Sequence, residues 1–264
     1  MDGLQNRKTL CDIANFTFNI VNDWLDSDQQ LASDLRSDET GSRQFVSEEA
    51  ITADIARKLR TQFPHHVDVK LFTHPEEKRT GADWYWRIER GGHAIHALVQ
   101  AKRVQRTDFS QPDDQGHIDI NHAQLGRLLL ATKKASQRIA GLKAWLATYA
   151  RFDASPPCGY DNLQHCQHHC HTNDCQGSQP SLWIANAHEI ADSDLRRRPV
   201  QEIIRQSIRL DCILHCIELA GNLGPAINDF VLQSDLSSFE TCVTTIENDP
   251  QLSAKIKGAL LIRE

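Results

Sequence analysis

Apolar residues recur at helical spacing between Ser47 and Pro64. Four of them are spaced by four residues and share one face: Ile51, Ile55, Leu59 and Phe63. Ser47 is a natural N-cap, and Pro64 cannot continue a helix. This pattern predicts a helix across the segment. A mixed apolar stripe also predicts helix within residues 1–38, followed by a polar linker at residues 37–44.

Short stretches with strand character follow this helix. Residues 67–72 alternate between apolar and polar side chains, which predicts a strand. Residues 81–88 and 94–102 form two more predicted strands, and Gly91-Gly92 between them suits the tight turn of a β-hairpin. A further strand is predicted at residues 181–187.

The second half of the chain shows helical patterns. An amphipathic stretch rich in Leu and Ala predicts a long helix from His122 to Tyr149, and another helix is predicted from Val200 to Leu219. The last 40 residues are predicted to form short helices. Together these elements predict an α/β or α+β fold, with a mixed sheet of about four or five strands flanked by helices and a helical C-terminal part.

Composition changes from segment to segment and suggests four parts. Residues 1–44 are an N-terminal helical segment, and residues 45–150 form the core with the hairpin. Residues 151–180 are a Cys/His-rich insert, and residues 181–264 supply the remaining strand and C-terminal helices packed on the core. The chain of 264 residues is long enough for one large domain or two small ones.

Overall composition limits the class of protein. Hydrophobic residues make up 40% and charged residues 24%, as in ordinary globular proteins. No apolar run is long enough to span a membrane, and the N-terminal residues MDGLQNRKTL contain no apolar signal region, so we expect a cytoplasmic protein without a membrane partner. The net charge of −6 does not exclude nucleic-acid binding, because only one face must be basic.

The predicted hairpin brings three polar residues together. Asp83 stands early in the first strand, and Gln100 and Lys102 stand late in the second. Because the strands are antiparallel, these two ends are neighbours, and residues two apart on a strand point to the same face. A carboxylate, an amide oxygen and an ammonium group are therefore expected at one point.

This set of groups suits a hard divalent cation. Mg²⁺ prefers oxygen ligands, which Asp83 and the Ala101 carbonyl could supply, with Gln100 or the helical Glu49 as a third. Lys102 could then hold the attacking water and offset charge that develops on a phosphate. Glu49 could equally be an acid that only stabilises the start of its helix.

The residues around this hairpin resemble a known nuclease core. The segments GADWYW and ALVQAKR are similar to the G-x-D…(D/E/Q)-x-K pattern of the PD-(D/E)xK nuclease superfamily, especially its Mrr-like branch, in which Gln replaces the acid. SEEAIT, HPEEKRTGADWYW and VQAKRV also resemble a bacterial family of uncharacterised domains with a GADWxW…QAKR pattern. The resemblance covers about residues 47–130 and weakens towards residue 216.

The resemblance implies a restriction-endonuclease-like fold and Mg²⁺- or Mn²⁺-dependent cleavage of phosphodiester bonds. DNA is the expected substrate, in bacterial restriction or anti-phage defence. It implies a metal held by Asp83 and Gln100, with Glu49 and Lys102 beside it and Gln124 orienting the site from the next helix. Gln100 departs from the acidic pattern and weakens metal binding. The alternative is an inactive nuclease fold that binds nucleic acid or a protein, and a homodimer is left open.

The insert at residues 151–180 contains metal-ligating side chains. Four of the eight cysteines lie there: Cys158, Cys166, Cys170 and Cys175. Histidines are interleaved with them, and few apolar residues are present, so a structural Zn²⁺ would replace a hydrophobic core. A loop without metal is the alternative. Cys212 and Cys216 form a second candidate pair, which we interpret as buried core cysteines instead.

Overall fold

The computed structural model describes residues 12–13, 15–27, 48–71, 82–90, 93–104, 116–152, 179–192, 197–210, 213–214, 238–249 and 258–263. The helices are α1 (residues 12–13 and 15–27), α2 (Glu48–Gln62), α3 (His122–Ala135), α4 (Ala187–Ala191), α5 (Val200–Arg205) and α6 (Phe239–Asn248). The strands are β1 (Val67–Leu71), β2 (Trp84–Arg90), β3 (His93–Arg103), β4 (His117–Asp119), β5 (Lys143–Phe152), β6 (Gln179–Asn186), β7 (Arg197–Pro199), β8 (Ser207–Arg209) and β9 (Gly258–Arg263).

Seven of these strands form one mixed sheet in the order β1-β9-β2-β3-β5-β6-β8. β2 and β3 are an antiparallel hairpin, whereas β3 pairs with β5 and β2 pairs with β9 in parallel. β4 and β7 form a separate two-stranded sheet. The predicted α/β fold, a mixed sheet flanked by helices, is confirmed, but the sheet has seven strands instead of the predicted four or five.

Helices cover both faces of the large sheet. On the first face, α1 and α2 pack on side chains such as Trp84, Trp86 and Trp145. On the second face, α3, α4, α5 and α6 pack on residues that include Tyr85 and Leu98. No described helix is long and apolar enough to cross a membrane. The central strands are therefore buried on both sides, as expected for a sheet with parallel pairs.

The predicted helix from His122 to Tyr149 is correct only in its first half. Helix α3 ends at Ala135, and Gly141 then adopts a φ of 68°, a left-handed conformation that suits glycine. Lys143–Phe152 is the strand β5. Its described side chains are buried on both faces, so the sequence shows a continuous apolar run instead of the alternation of a half-buried strand.

Two predictions for the C-terminal part also need correction. The predicted helix from Val200 to Leu219 is interrupted, because α5 ends at Arg205 and Ser207–Arg209 pairs with β6 as strand β8. The last 40 residues contain helix α6, but also strand β9 between β1 and β2 in the large sheet. The C-terminal part thus supplies an inner strand as well as helices. The predicted helix between Ser47 and Pro64 and the strands near residues 67–72, 81–88, 94–102 and 181–187 are confirmed.

The close packing of β9 predicts that Gly258 tolerates no side chain. A Cβ added to Gly258 would lie 2.6 Å from Trp84 Cζ3 and 2.7 Å from the Lys70 carbonyl oxygen. Because the paired backbone of β1 cannot shift without loss of stability, we expect Gly258→Ala to lower the free energy of unfolding by about 1–3 kcal/mol. Urea denaturation followed by circular dichroism measures this change.

The control is a glycine with open space around it. Apart from the neighbouring backbone of α3, no described atom lies within 4 Å of a Cβ added to Gly126. Gly126→Ala should leave the free energy of unfolding unchanged or raise it by up to about 1 kcal/mol. Equal effects at Gly126 and Gly258 would contradict the packing of β9 between β1 and β2.

Candidate functional site

Asp83 is fixed at the point where β2 meets the end of β3. Its backbone N–H donates to the Val99 carbonyl oxygen at 2.7 Å, and its Oδ2 accepts a hydrogen bond from the Ala101 N–H at 2.9 Å. Ala101 stands between Gln100 and Lys102. The carboxylate of Asp83 is therefore held against the strand segment that the sequence singled out, and the side chain is only 8% exposed.

Gln100 and Lys102 point to the second face of the sheet, the one covered by α3. They alternate with Val99 and Ala101, which belong to the core on the first face. Gln100 is 2% exposed, whereas Lys102 is partly exposed. In the parallel ladder, Lys102 is paired with Thr148 of β5, whose side chain is fully buried.

The start of α3 holds the Lys102 amine. The Nζ atom donates to Gln124 Oε1 at 3.3 Å. Asn121 is the N-cap of α3, and its Oδ1 accepts from the Gln124 N–H at 3.1 Å. This cap fixes the first helical turn, and with it the position from which Gln124 reaches Lys102.

Two polar atoms beside Lys102 are buried without a partner. Gln100 Nε2 and Thr148 Oγ1 contact no hydrogen-bonding group in the described part of the chain. Such atoms are rare in folded proteins, because an unpaired buried polar group costs about 1–3 kcal/mol. They lie on adjacent strands and on one face, so this end of the sheet is suited to a polar ligand.

On the first face, a second polar group borders Asp83. The hydroxyls of Thr52 in α2 and Tyr149 in β5 are 2.5 Å apart, and Thr52 also donates to the Glu48 carbonyl oxygen at 2.9 Å. Burial raises the pKa of Tyr149, and the negative charges of Asp83 and Glu48 raise it further. Tyr149 is therefore a neutral hydroxyl at physiological pH, close to two carboxylates.

The oxygen-bearing side chains at this site fit Mg²⁺, provided that water and substrate oxygens complete its coordination. Asp83 supplies a carboxylate and Gln100 an amide, and the negative charge of Glu48 is near enough to raise the pKa of Tyr149. Mg²⁺ is often bound through one or two carboxylates, with waters and phosphate oxygens completing its octahedron. In the described part of the chain, no group of three His, Cys, Asp or Glu residues forms a dedicated metal cage.

The structure links four of the predicted site residues. Asp83 contacts the Gln100–Lys102 segment, and Lys102 contacts Gln124. Glu49 lies in the first turn of α2, but its side chain is outside the described residues. The four predicted zinc ligands are also outside the described residues: Cys158, Cys166, Cys170 and Cys175.

Sequence reasoning missed three residues that border the site. The predicted helix from His122 to Tyr149 includes Thr148 and Tyr149, whereas both lie on strand β5 beside β3. Thr52 is polar and lies among the apolar residues of α2, and only the contact with Tyr149 shows its role. A signal was available for β5, because the β-branched and aromatic residues near residue 148 favour a strand over a helix.

Comparison with known proteins identifies one family. No curated protein and no solved structure matches the chain. A model described as "Family of unknown function (DUF6615)" matches residues 10–257, which is nearly the whole sequence. The chain therefore belongs to the DUF6615 family.

Proposed function

We propose that this protein is a divalent-metal-dependent nuclease with its site at the end of β3. The observation that carries the proposal is the position of the Asp83 carboxylate. It accepts a hydrogen bond from the N–H of Ala101, the residue between Gln100 and Lys102, and the Lys102 amine in turn donates to Gln124. Metal-assisted phosphodiester hydrolysis needs oxygen ligands for a cation and a positive charge beside the phosphate. The carboxylate, the amide and the ammonium group on these two paired strands can supply them.

The side chains have distinct tasks in this proposal. Asp83 is oriented by the Ala101 N–H, so its carboxylate needs little reorganisation when it binds a cation. Lys102 donates hydrogen bonds to the attacking water and to the phosphate oxygens, and its positive charge offsets the negative charge of the transition state. Gln124 accepts a hydrogen bond from the Lys102 amine, which fixes that amine beside the start of α3.

Mg²⁺ or Mn²⁺ at Asp83 and Gln100 would supply Lewis-acid activation of water and of the scissile phosphate. Tyr149, held neutral by burial, keeps a hydroxyl rather than a third negative charge next to Asp83 and Glu48. With only two carboxylates nearby among the described residues, a divalent cation can also bind the negatively charged oxygens of a phosphodiester.

The proposed substrate is DNA, and the proposed setting is bacterial restriction or anti-phage defence in the cytoplasm. The resemblance of residues 47–130 to Mrr-like nucleases supports this choice. RNA is the alternative substrate. A direct comparison of plasmid, single-stranded DNA and RNA with Mg²⁺ or Mn²⁺ distinguishes these substrates.

A second candidate function is binding of nucleic acid or protein without cleavage. One observation favours it: Gln100 replaces an acid and is only 2% exposed, so the site has a weaker metal ligand than a fully acidic set. Under this alternative, the same fold would bind nucleic acid with equal affinity in chelator and in Mg²⁺ and would cut none of the substrates.

Replacing Lys102 separates these two functions. Lys102→Ala should lower the rate of Mg²⁺-dependent cleavage by about 100-fold or more, because it removes a charge that stabilises the transition state. The fold should persist, since Lys102 is partly exposed and, among the described residues, its Nζ makes one hydrogen bond, of 3.3 Å, to Gln124. Initial rates of plasmid cleavage and the circular dichroism spectrum measure both effects.

Lys70→Ala is the matched control for this experiment. Lys70 lies on β1 of the same sheet and pairs with Glu247 at 2.8 Å. Its removal should leave the cleavage rate unchanged. Cleavage by Lys102→Ala at the rate of the parent protein would refute a catalytic role for Lys102.

Replacing Gln100 tests the metal ligand without an activity measurement. Gln100→Glu places a second buried carboxylate near Asp83, so its melting temperature in chelator should fall below that of the parent protein. Adding Mg²⁺ should then raise the melting temperature more in the variant than in the parent, because the cation stabilises only the folded site. An equal response to Mg²⁺ in both proteins would argue against metal binding at Gln100.

We also propose a structural Zn²⁺ in the insert, bound by Cys166, Cys170 and Cys175 with Cys158 or a neighbouring histidine. The support is the density of cysteines in a segment too polar to fold by burial. Metal analysis of the purified chain should find about one Zn²⁺, and Cys170→Ser should release it.

A buried cysteine serves as the control for the zinc site. Cys242 in α6 is buried against Arg87, and Cys242→Ala should retain the metal. Less than about 0.2 Zn²⁺ per chain would mean that the insert binds no structural metal. Loss of zinc on Cys212→Ser, with retention on Cys170→Ser, would move the site to the later cysteine pair.

A further inference from the structure

Helix α3 has a solvent-facing side that its packing on the sheet does not explain. Four of its residues are buried against the second face: Leu125, Leu128, Thr132 and Ala135. Six exposed residues form the opposite side, which we call the α3 outer face: Ala123, Gly126, Arg127, Leu130, Lys133 and Lys134. Leu130 is 54% exposed at the centre of this face.

Gly126 is unusual within this face. It stands in the middle of α3, where glycine is among the least favourable residues because it has the most backbone freedom to lose. Its φ is not positive, and apart from the neighbouring backbone of α3 no described atom lies within 4 Å of an added Cβ. Within the described part of the chain, neither backbone conformation nor packing therefore requires glycine here. A molecule that approaches the helix backbone from outside would require it.

The charge of the α3 outer face selects the kind of molecule. Arg127, Lys133 and Lys134 are exposed, and α3 contains no Asp or Glu. A second copy of this face would bring like charges together, so self-association through it is disfavoured. The charge instead favours an anionic partner.

The position of α3 connects this face to the proposed site. Gln124, which holds Lys102, precedes Gly126 and Arg127 by less than one turn. The helix has 14 residues and extends about 20 Å from the site, at about 1.5 Å per residue. That length corresponds to about six nucleotides of one DNA strand at 3.4 Å each.

We propose that the α3 outer face binds the phosphate backbone of the nucleic-acid substrate. Arg127 and Lys133 contact phosphates, and Gly126 lets the backbone approach the helix closely between them. This inference rests on the proposed function, since a nucleic-acid strand bound along α3 would lead towards Asp83 and Lys102. Binding of this kind is independent of base sequence, because phosphates carry the contacts.

The test measures binding without cleavage. Fluorescence anisotropy with a labelled DNA duplex in chelator gives the affinity at several salt concentrations. Arg127→Gln and Lys133→Gln should each reduce the slope of log K against log salt by about 0.9, which lowers affinity about eightfold at 0.1 M salt through counterion release. Arg60→Gln, an exposed cation at the end of α2 on the other sheet face, is the control and should change neither value.

Gly126→Gln tests the close approach separately. Glutamine is a better helix former than glycine, so the melting temperature should stay equal or rise. The added side chain should hold the strand away and lower affinity about eightfold, the loss expected for one phosphate contact at 0.1 M salt. Unchanged affinity in this variant would overturn the role assigned to Gly126.

The possible results separate the two proposals. Suppose that Arg127→Gln and Lys133→Gln keep the wild-type affinity and salt slope while Lys102→Ala loses cleavage. This result would overturn the α3 proposal and leave the nuclease proposal standing. If the salt slopes of Arg127→Gln and Lys133→Gln change as expected but the protein cleaves no substrate, the α3 proposal would stand and the nuclease proposal would be overturned. A wild-type dimer that Leu130→Ala converts to monomer, with DNA binding unchanged, would assign the face to self-association and overturn the inference.

Discussion

Burial of β3 on both faces is the constraint on which the candidate site depends. Side chains from Ala94 to Ala101 are buried, so polar chemistry along most of this strand would have to be paired internally. Only its C-terminal end, after the Val99 position that pairs with the first residue of β2, combines a buried polar side chain, Gln100, with the partly exposed amine of Lys102. Asp83, Gln100 and Lys102 meet there because the hairpin aligns the beginning of β2 with the end of β3.

Two helices begin at this same end of the sheet. Thr52, in the second turn of α2, contacts Tyr149 of β5, and Gln124 in the first turn of α3 contacts Lys102. Helix N-termini carry partial positive charge, which favours anions nearby. The site therefore lies between the positive ends of two helices on opposite faces of the sheet. This arrangement suits the negatively charged phosphate that the proposed reaction requires.

The sequence was sufficient to predict the hairpin and its polar residues, because both depend on local signals. Gly91-Gly92 marks the turn, and strand alternation then sets which residues of β2 and β3 are neighbours. Strand β9 could not be predicted in this way, since its partners β1 and β2 lie far away in the sequence. The contact between Thr52 and Tyr149 joins residues 97 positions apart, and no spacing rule predicts it. Strand β5 was hidden because burial of both faces removed its alternation.

Three local features that lower stability occur at the proposed site. Gln100 and Thr148 bury polar atoms that no described residue pairs, and Gly126 weakens the middle of a helix although no described residue packs against it closely enough to require glycine. By contrast, Gly258 is required by its own packing, since Trp84 and the backbone of β1 occupy the space that a side chain would need. Natural sequences tend to break local rules where function demands it. Gln100, Thr148 and Gly126 lie on β3, β5 and α3, the three elements that meet at Lys102, as expected if a ligand binds along α3 and reaches the end of β3.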